Sequence, residues 1–171
     1  MKTKEDIKIA LQLIFDDINT YLKNVDSSSF KKSKNGKWSI AQNIDHLTLS
    51  NSITTIGLRM PVFALNTLYK KPTRNAWNYD EVVWKYQLKL NSGAKAPMPF
   101  TPKLSIVPIR SILERNWKNS FKSLLSNLDK WSDSDLDNAF ISHPILGVLS
   151  VRELMFFTVY HNRHHFETIK K

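Results

Sequence analysis

Three of the five histidines stand within five residues near the C-terminus, in the run Tyr160-His161-Asn162-Arg163-His164-His165-Phe166. On a helix, His161 and His165 are four residues apart, so both rings lie on one face with their Cβ atoms about 6 Å apart, which is a chelating spacing. The same face carries Leu154, Phe157, Thr158 and Thr168, so it begins apolar and turns polar at the histidines. Such a face suits the interior of a helical bundle with a site at one end. Two histidines near a helix C-terminus are equally well explained by a favourable interaction with the helix dipole in an exposed last turn. A third ligand would decide between these readings. His46 shares a helical face with Ser39, Gln42, Asn43, Ser50 and Ile53, unusually polar beside the apolar stripe of Ile40, Ile44 and Leu47. A lone histidine there is more often a hydrogen-bonded interior residue than a ligand, although polar neighbours are also what a ligand's supporting shell requires.

The composition narrows what chemistry these residues can do. The chain has no cysteine, which removes disulfides, thiolate nucleophiles and cysteine-based zinc sites, so a metal must be held by histidines and carboxylates. Asp45 adjoins His46 but points about 100° away on a helix, Glu167 is similarly displaced from His165, and both read as surface charges rather than as a general base. Four glycines make a phosphate cradle improbable, and no Ser-His-Asp order or paired-carboxylate motif is present. The formal charge of +10 is concentrated in residues 59–118, with eleven Lys and Arg against three Asp and Glu. Those basic residues are dispersed and no nucleic-acid-binding motif frames them. They read better as a solvated face, or an opening that attracts an anionic small molecule, than as a nucleic-acid footprint.

The elements that must position the histidines follow from periodicity and capping. The 171 residues, 42% of them hydrophobic, suit one domain with a substantial core, taken as 1–171. Ile7, Leu11, Ile14, Ile18 and Leu22 predict a first helix over 4–24, capped by Thr3 and ended by the run Ser27 to Ser29. Ser39 with Gln42 forms a capping box that opens a second helix, running to about Asn66 and kinked at Pro61. Residues 67–104 hold four of the seven prolines and read as a long crossover with a short helix near Tyr79 to Leu90, ended by Gly93. Its aromatics, Trp77, Tyr79, Trp84, Tyr86 and Phe100, read as core and staple residues before a ligand wall. A third long helix is expected from about Val107 to Leu128, with Ile109, Ile112, Leu113, Trp117, Phe121, Leu124, Leu125 and Leu128 as its stripe. Residues 129–149 read as a loop with a short acidic turn at Asp133 to Asp137. Ser150 and Glu153 open the last helix with another capping box. No strand pattern is visible. The result is an all-α four-helix bundle with a long crossover between the second and third helices. No apolar run is long enough to span a membrane, and the first residues lack a secretory core, so a soluble cytoplasmic protein is expected.

The segment Lys37-Trp38-Ser39-Ile40-Ala41-Gln42-Asn43-Ile44-Asp45-His46-Leu47 resembles the Trp-Ser…His-Leu signature of the DinB-like (YfiT-like) superfamily. The segment His143-Pro144-Ile145-Leu146-Gly147, followed by Ser150 to Ile169 with His161-x-x-x-His165, resembles that superfamily's C-terminal half. The resemblance implies a DinB-type four-helix bundle, commonly a homodimer, holding a divalent metal, often zinc or nickel, through His46, His161 and His165. His164 falls about 60° off that face and reads as a neighbour. Members often carry Gln three residues after the last ligand, where this chain has Thr168. Three neutral imidazoles leave an open coordination position, the arrangement of catalytic rather than structural zinc. Such a site would acidify a water for hydrolysis, or a low-molecular-weight thiol co-substrate for transfer, since the chain has no thiol of its own. The resemblance therefore implies a metal-dependent hydrolase or thiol S-transferase acting on a small molecule. A non-catalytic metal-binding or dimerisation bundle is the alternative, and a nucleic-acid-associated role ranks last.

Overall fold

Three of the four long helices start where a side chain answers the free N–H groups of the first turn. The computed structural model describes residues 1–33, 36–102 and 109–171. Helix α1 (Lys4–Lys23) is opened by a reciprocal pair between Thr3 and Asp6, and buries Ile7, Leu11, Ile14, Ile18 and Leu22 along one stripe. The serines expected to end it instead form a short helix, α2 (Ser27–Lys31). The Asp26 carboxylate accepts from the N–H groups of Ser28 and Ser29, so the acid before the serines restarts the helix that they were expected to stop.

Helix α3 (Ile40–Leu58) opens with the Ser39–Gln42 capping box and is shorter than expected. Pro61 does not kink it. The chain leaves the helix after Leu58, and Pro61, in an extended conformation, begins a separate helix α4 (Val62–Leu68). Proline is tolerated at a helix start, where its missing N–H costs nothing, and disfavoured inside one. Helix α5 (Tyr79–Asn91) lies in the crossover, capped by Asn78 with Glu81. Helix α6 (Arg110–Leu128) buries Leu113, Trp117, Phe121, Leu124 and Leu128. The expected start at Val107 lies outside the described residues, and Ile109, expected in the stripe, stands before the helix with its side chain mostly exposed.

The segment expected as a loop is ordered. It contains helix α7 (Asp133–Asn138), capped by Ser132 with Asp135, and an antiparallel hairpin, β1 (Phe140–His143) with β2 (Gly147–Ser150). The hairpin pairs Phe140 with Ser150 and His143 with Gly147. Gly147 sits at φ +78°, a conformation that a Cβ would strain. Helix α8 (Val151–Ile169) follows directly, opened by Ser150 and Glu153.

Helices α1, α3, α6 and α8 form the four-helix bundle, with α3 against α6, α1 against α8, and α3 against α8. The 59–109 crossover carries α4 and α5, and α5 packs on α8. One core runs through the bundle, anchored by fully buried Trp117 and by Phe15 stacked on Phe121 with ring centroids 4.1 Å apart. The crossover is tied down by Glu153. Its carboxylate accepts from both terminal nitrogens of Arg74 (2.7 and 2.8 Å) and from the backbone N–H groups of Trp77 and Ser150. The Arg74 guanidinium in turn lies 3.3 Å from the centre of the Trp77 ring. No helix among the described residues is long and apolar enough to cross a membrane.

Candidate metal centre

Helix α8 presents His161 and His165 one turn apart toward α3, and α3 answers with His46. Residues 115 positions apart in sequence thus meet: the Nε2 atoms of His46 and His161 are 3.0 Å apart. The three ring centroids form a near-equilateral triangle, 4.9 Å from His46 to His161, 4.6 Å from His46 to His165, and 4.7 Å from His161 to His165. One ligand atom from each histidine lies within 4.8 Å of the others. Tetrahedral zinc with nitrogen ligands at ~2.0–2.1 Å separates its donors by roughly 3.3 Å, so the cluster can close on an ion with small side-chain adjustments.

The outer nitrogens determine what the inner ones offer. His46 Nδ1 is 2.7 Å from the carbonyl oxygen of Phe100, which can only accept, so Nδ1 carries the proton and Nε2 presents a lone pair. His165 Nδ1 is 2.7 Å from Asn43 Oδ1. The Asn43 amide is oriented by its other end, because Nδ2 donates to the carbonyls of Trp38 (3.2 Å) and Ser39 (2.9 Å), which leaves Oδ1 for the imidazole. His165 therefore also donates outward and directs a lone pair inward. This is the supporting arrangement that orients metal-binding histidines. Trp38 stacks against His165, its ring nearly parallel at 6.1 Å, and closes one side.

Burial keeps this cluster neutral. It drives the pKa of His161 and His165 well below the ordinary histidine value, and the other histidines add to the effect. Burial also lowers His46, against an opposing contribution from the Phe100 carbonyl. Neutral imidazoles are the form that binds metal.

The cluster opens on a cavity of about 190 Å³ lined by all five histidines of the chain. Tyr86, Leu90, Phe100, Ile141, Leu154 and Phe157 supply much of its apolar wall, with Ser50, Thr54 and Ser142 as polar points. The lining contains no Lys, Arg, Asp or Glu among the described residues. Asp45 and Glu167 are absent from it, and Glu167 pairs with Lys170. None of the described basic residues of the middle segment lines the cavity; Arg74 pairs with Glu153 and Arg110 with Glu114. Thr168 also stands away from the cavity, its hydroxyl donating to the carbonyl of His164.

The aromatics of the crossover divide. Tyr86 and Phe100 line the cavity, Tyr79 packs on Phe156, and the Trp84 side chain is exposed. Burial pushes the Tyr86 phenol up to about 12, so it stays protonated. Two contributors escaped sequence reasoning. Phe100 acts through its backbone oxygen, which no side-chain pattern can reveal. His143 reaches the cavity through the hairpin, and the only available signal was the His-Pro-Ile-Leu-Gly run, in which a glycine follows four residues after a histidine.

Comparison with known proteins agrees with this architecture. The structure of TT2238, described as a four-helix bundle protein, superposes with a TM-score of 0.63 at 15% identity over 98% of both chains. YfiT from Bacillus subtilis, described as a probable metal-dependent hydrolase with an unusual four-helix bundle topology, superposes with a TM-score of 0.62 at 15% identity. That match covers 98% of this chain and 83% of YfiT. No curated protein sequence matches. The DinB superfamily model matches residues 10–169, which include all five histidines, helices α3, α6 and α8 and most of α1, and the chain therefore belongs to the DinB superfamily.

Proposed function

We propose that this protein binds one divalent cation through His46, His161 and His165 and uses it as a small-molecule hydrolase. The observation that carries this reading is the convergence of three imidazoles whose outer Nδ1–H groups, on His46 and His165, are committed to oxygen acceptors. Zinc and nickel both suit an all-imidazole donor set. When bound, such an ion supplies Lewis acidity, polarising a carbonyl or lowering the pKa of water toward about 7.

The chain's own residues supply the rest. Asn43 and the Phe100 carbonyl hold two ligand rings in place. Leu154, Phe157 and Ile141 exclude bulk water from one side of the cluster and so strengthen polar interactions inside it. With no carboxylate in the lining, proton transfer falls to the substrate, solvent or a histidine. The uncharged lining favours a neutral substrate, and attraction of an anionic one would have to come from the cation itself. The description of YfiT as a probable metal-dependent hydrolase supports hydrolysis over thiol transfer.

Elemental analysis of the purified protein tests the site. Wild type should hold close to one equivalent of zinc or nickel and His161→Ala should hold almost none; equal metal content in a folded variant would sink the three-histidine centre. Hydrolysis of p-nitrophenyl acetate by the loaded protein, compared with thiol-dependent loss of chlorodinitrobenzene, separates the two reactions. Loaded wild type is expected to hydrolyse the ester and chelated protein is not. Thiol-dependent loss of the electrophile without ester hydrolysis would replace the hydrolase with a transferase.

A further inference from the structure

The proposed centre leaves two cavity histidines unused, His143 and His164, and the side chain of His143 is held by its own turn. Its Nδ1 is 3.2 Å from the backbone N–H of Ile145 and 3.1 Å from that of Leu146. Both groups can only donate, so Nδ1 must be the bare acceptor nitrogen, and the single proton of the neutral ring sits on Nε2. The ring is 7% exposed and packs edge-on against Phe157 at 4.2 Å between centroids. Nε2–H has no protein partner among the described residues, and the residue lines the cavity that His46, His161 and His165 also line.

We infer that His143 is a fixed hydrogen-bond donor for the carbonyl oxygen of a neutral, largely apolar substrate held beside the three-histidine cluster. The inference rests on the proposed hydrolase for the choice of an acyl carbonyl, but the donor itself follows from the turn. A donor-only group in an uncharged, mostly apolar cavity is best matched by a ligand atom that accepts and does not donate, which is what a carbonyl offers. The turn makes the donor rigid: the hairpin register pairs His143 with Gly147, whose positive φ closes the turn on the imidazole. His143 keeps its proton throughout, so it orients and polarises the carbonyl and transfers nothing. Burial reinforces this by pushing its pKa down to about 4, which leaves the ring neutral at physiological pH.

The test uses metal-free protein and two probes of nearly equal shape, acetophenone and α-methylstyrene, in which a methylene replaces the carbonyl oxygen. Binding is followed by NMR, with the imidazole resonances read through long-range proton–nitrogen correlation. In wild type the His143 Nε2–H resonance should move on adding acetophenone and stay in place with α-methylstyrene. His143→Asn retains a side-chain oxygen that can accept from the turn N–H groups and removes the reach of Nε2. It should lower the ratio of acetophenone to α-methylstyrene affinity about tenfold. A ratio unchanged within twofold in folded His143→Asn, or an Nε2–H resonance unmoved by acetophenone in wild type, would overturn the inference. Because these readings need no metal, failure of wild type to bind zinc would remove the metal-dependent reading alone.

Discussion

Asn43 offers the sharpest separation of metal binding from folding. It is 1% exposed and makes three side-chain bonds: it accepts from His165 Nδ1–H at 2.7 Å and donates to the Trp38 and Ser39 carbonyls. In Asn43→Ala the Ser39 carbonyl keeps a partner, because it still receives the helical N–H of residue 43 at 3.0 Å. The Trp38 carbonyl and the His165 Nδ1–H do not. Loss of two buried bonds should destabilise the metal-free protein by about 2 kcal/mol, which for a chain of this size lowers Tm by roughly 4–8 °C. Zinc affinity should fall further, by ~10–100-fold, because His165 becomes free to rotate and to adopt the other tautomer. Asn43→Asp divides the two effects. It preserves an acceptor for His165 but turns an oxygen toward the Trp38 carbonyl, so zinc affinity should hold at or above wild type while Tm still falls. Competition with a chromophoric chelator measures the affinity and circular dichroism the melting. The reasoning fails if folded Asn43→Ala binds zinc within threefold of wild type, or if Asn43→Asp loses as much affinity as Asn43→Ala.

Three further outcomes follow from other parts of the structure. His46, His143, His161 and His165 all have lowered pKa values in the folded state, so the unfolded chain takes up protons first. Stability of the metal-free protein should be complete above the ordinary histidine value of 6.5 and decline as pH falls, with His143 contributing down to about 4. A urea midpoint that is flat between pH 7 and pH 5 would contradict that burial. Glu153→Ala leaves the Arg74 guanidinium with only the carbonyls of Asn75 and Val148 and the N–H groups of Trp77 and Ser150 without their acceptor, so a loss of about 3–5 kcal/mol and a Tm drop on the order of 10 °C are expected in a thermal melt. Gly147→Ala, at φ +78°, should cost about 1–2 kcal/mol, and the His143 imidazole resonances should broaden as the turn loosens.

Much of the bundle was legible because helix starts and apolar stripes are local. Thr3, Ser39 with Gln42, and Ser150 with Glu153 mark three of the four long starts within four residues each, and the structure places a helix after every one. The errors have local causes too. Asp26 restarted a helix where three serines suggested a stop, and Pro61 fits a helix start better than a kink. The hairpin escaped notice because four-residue strands are too short to show alternation.

For the site, the sequence by itself determined the pairing of His161 with His165, since a period of 3.6 residues places any i, i+4 pair on one helix face. It could list His46 and Asn43 as polar residues on a buried-looking face, without saying what they would meet. Packing of α3 on α8 decided that meeting, across 115 residues and 122 residues respectively. Packing also delivered the Phe100 carbonyl to His46 and turned His143 into the same cavity. The reason is one of range. Capping and periodicity are governed by bonds within one turn, whereas the tautomers that make these imidazoles donors or acceptors are set by oxygen and nitrogen atoms that only the folded chain brings within 3 Å or so.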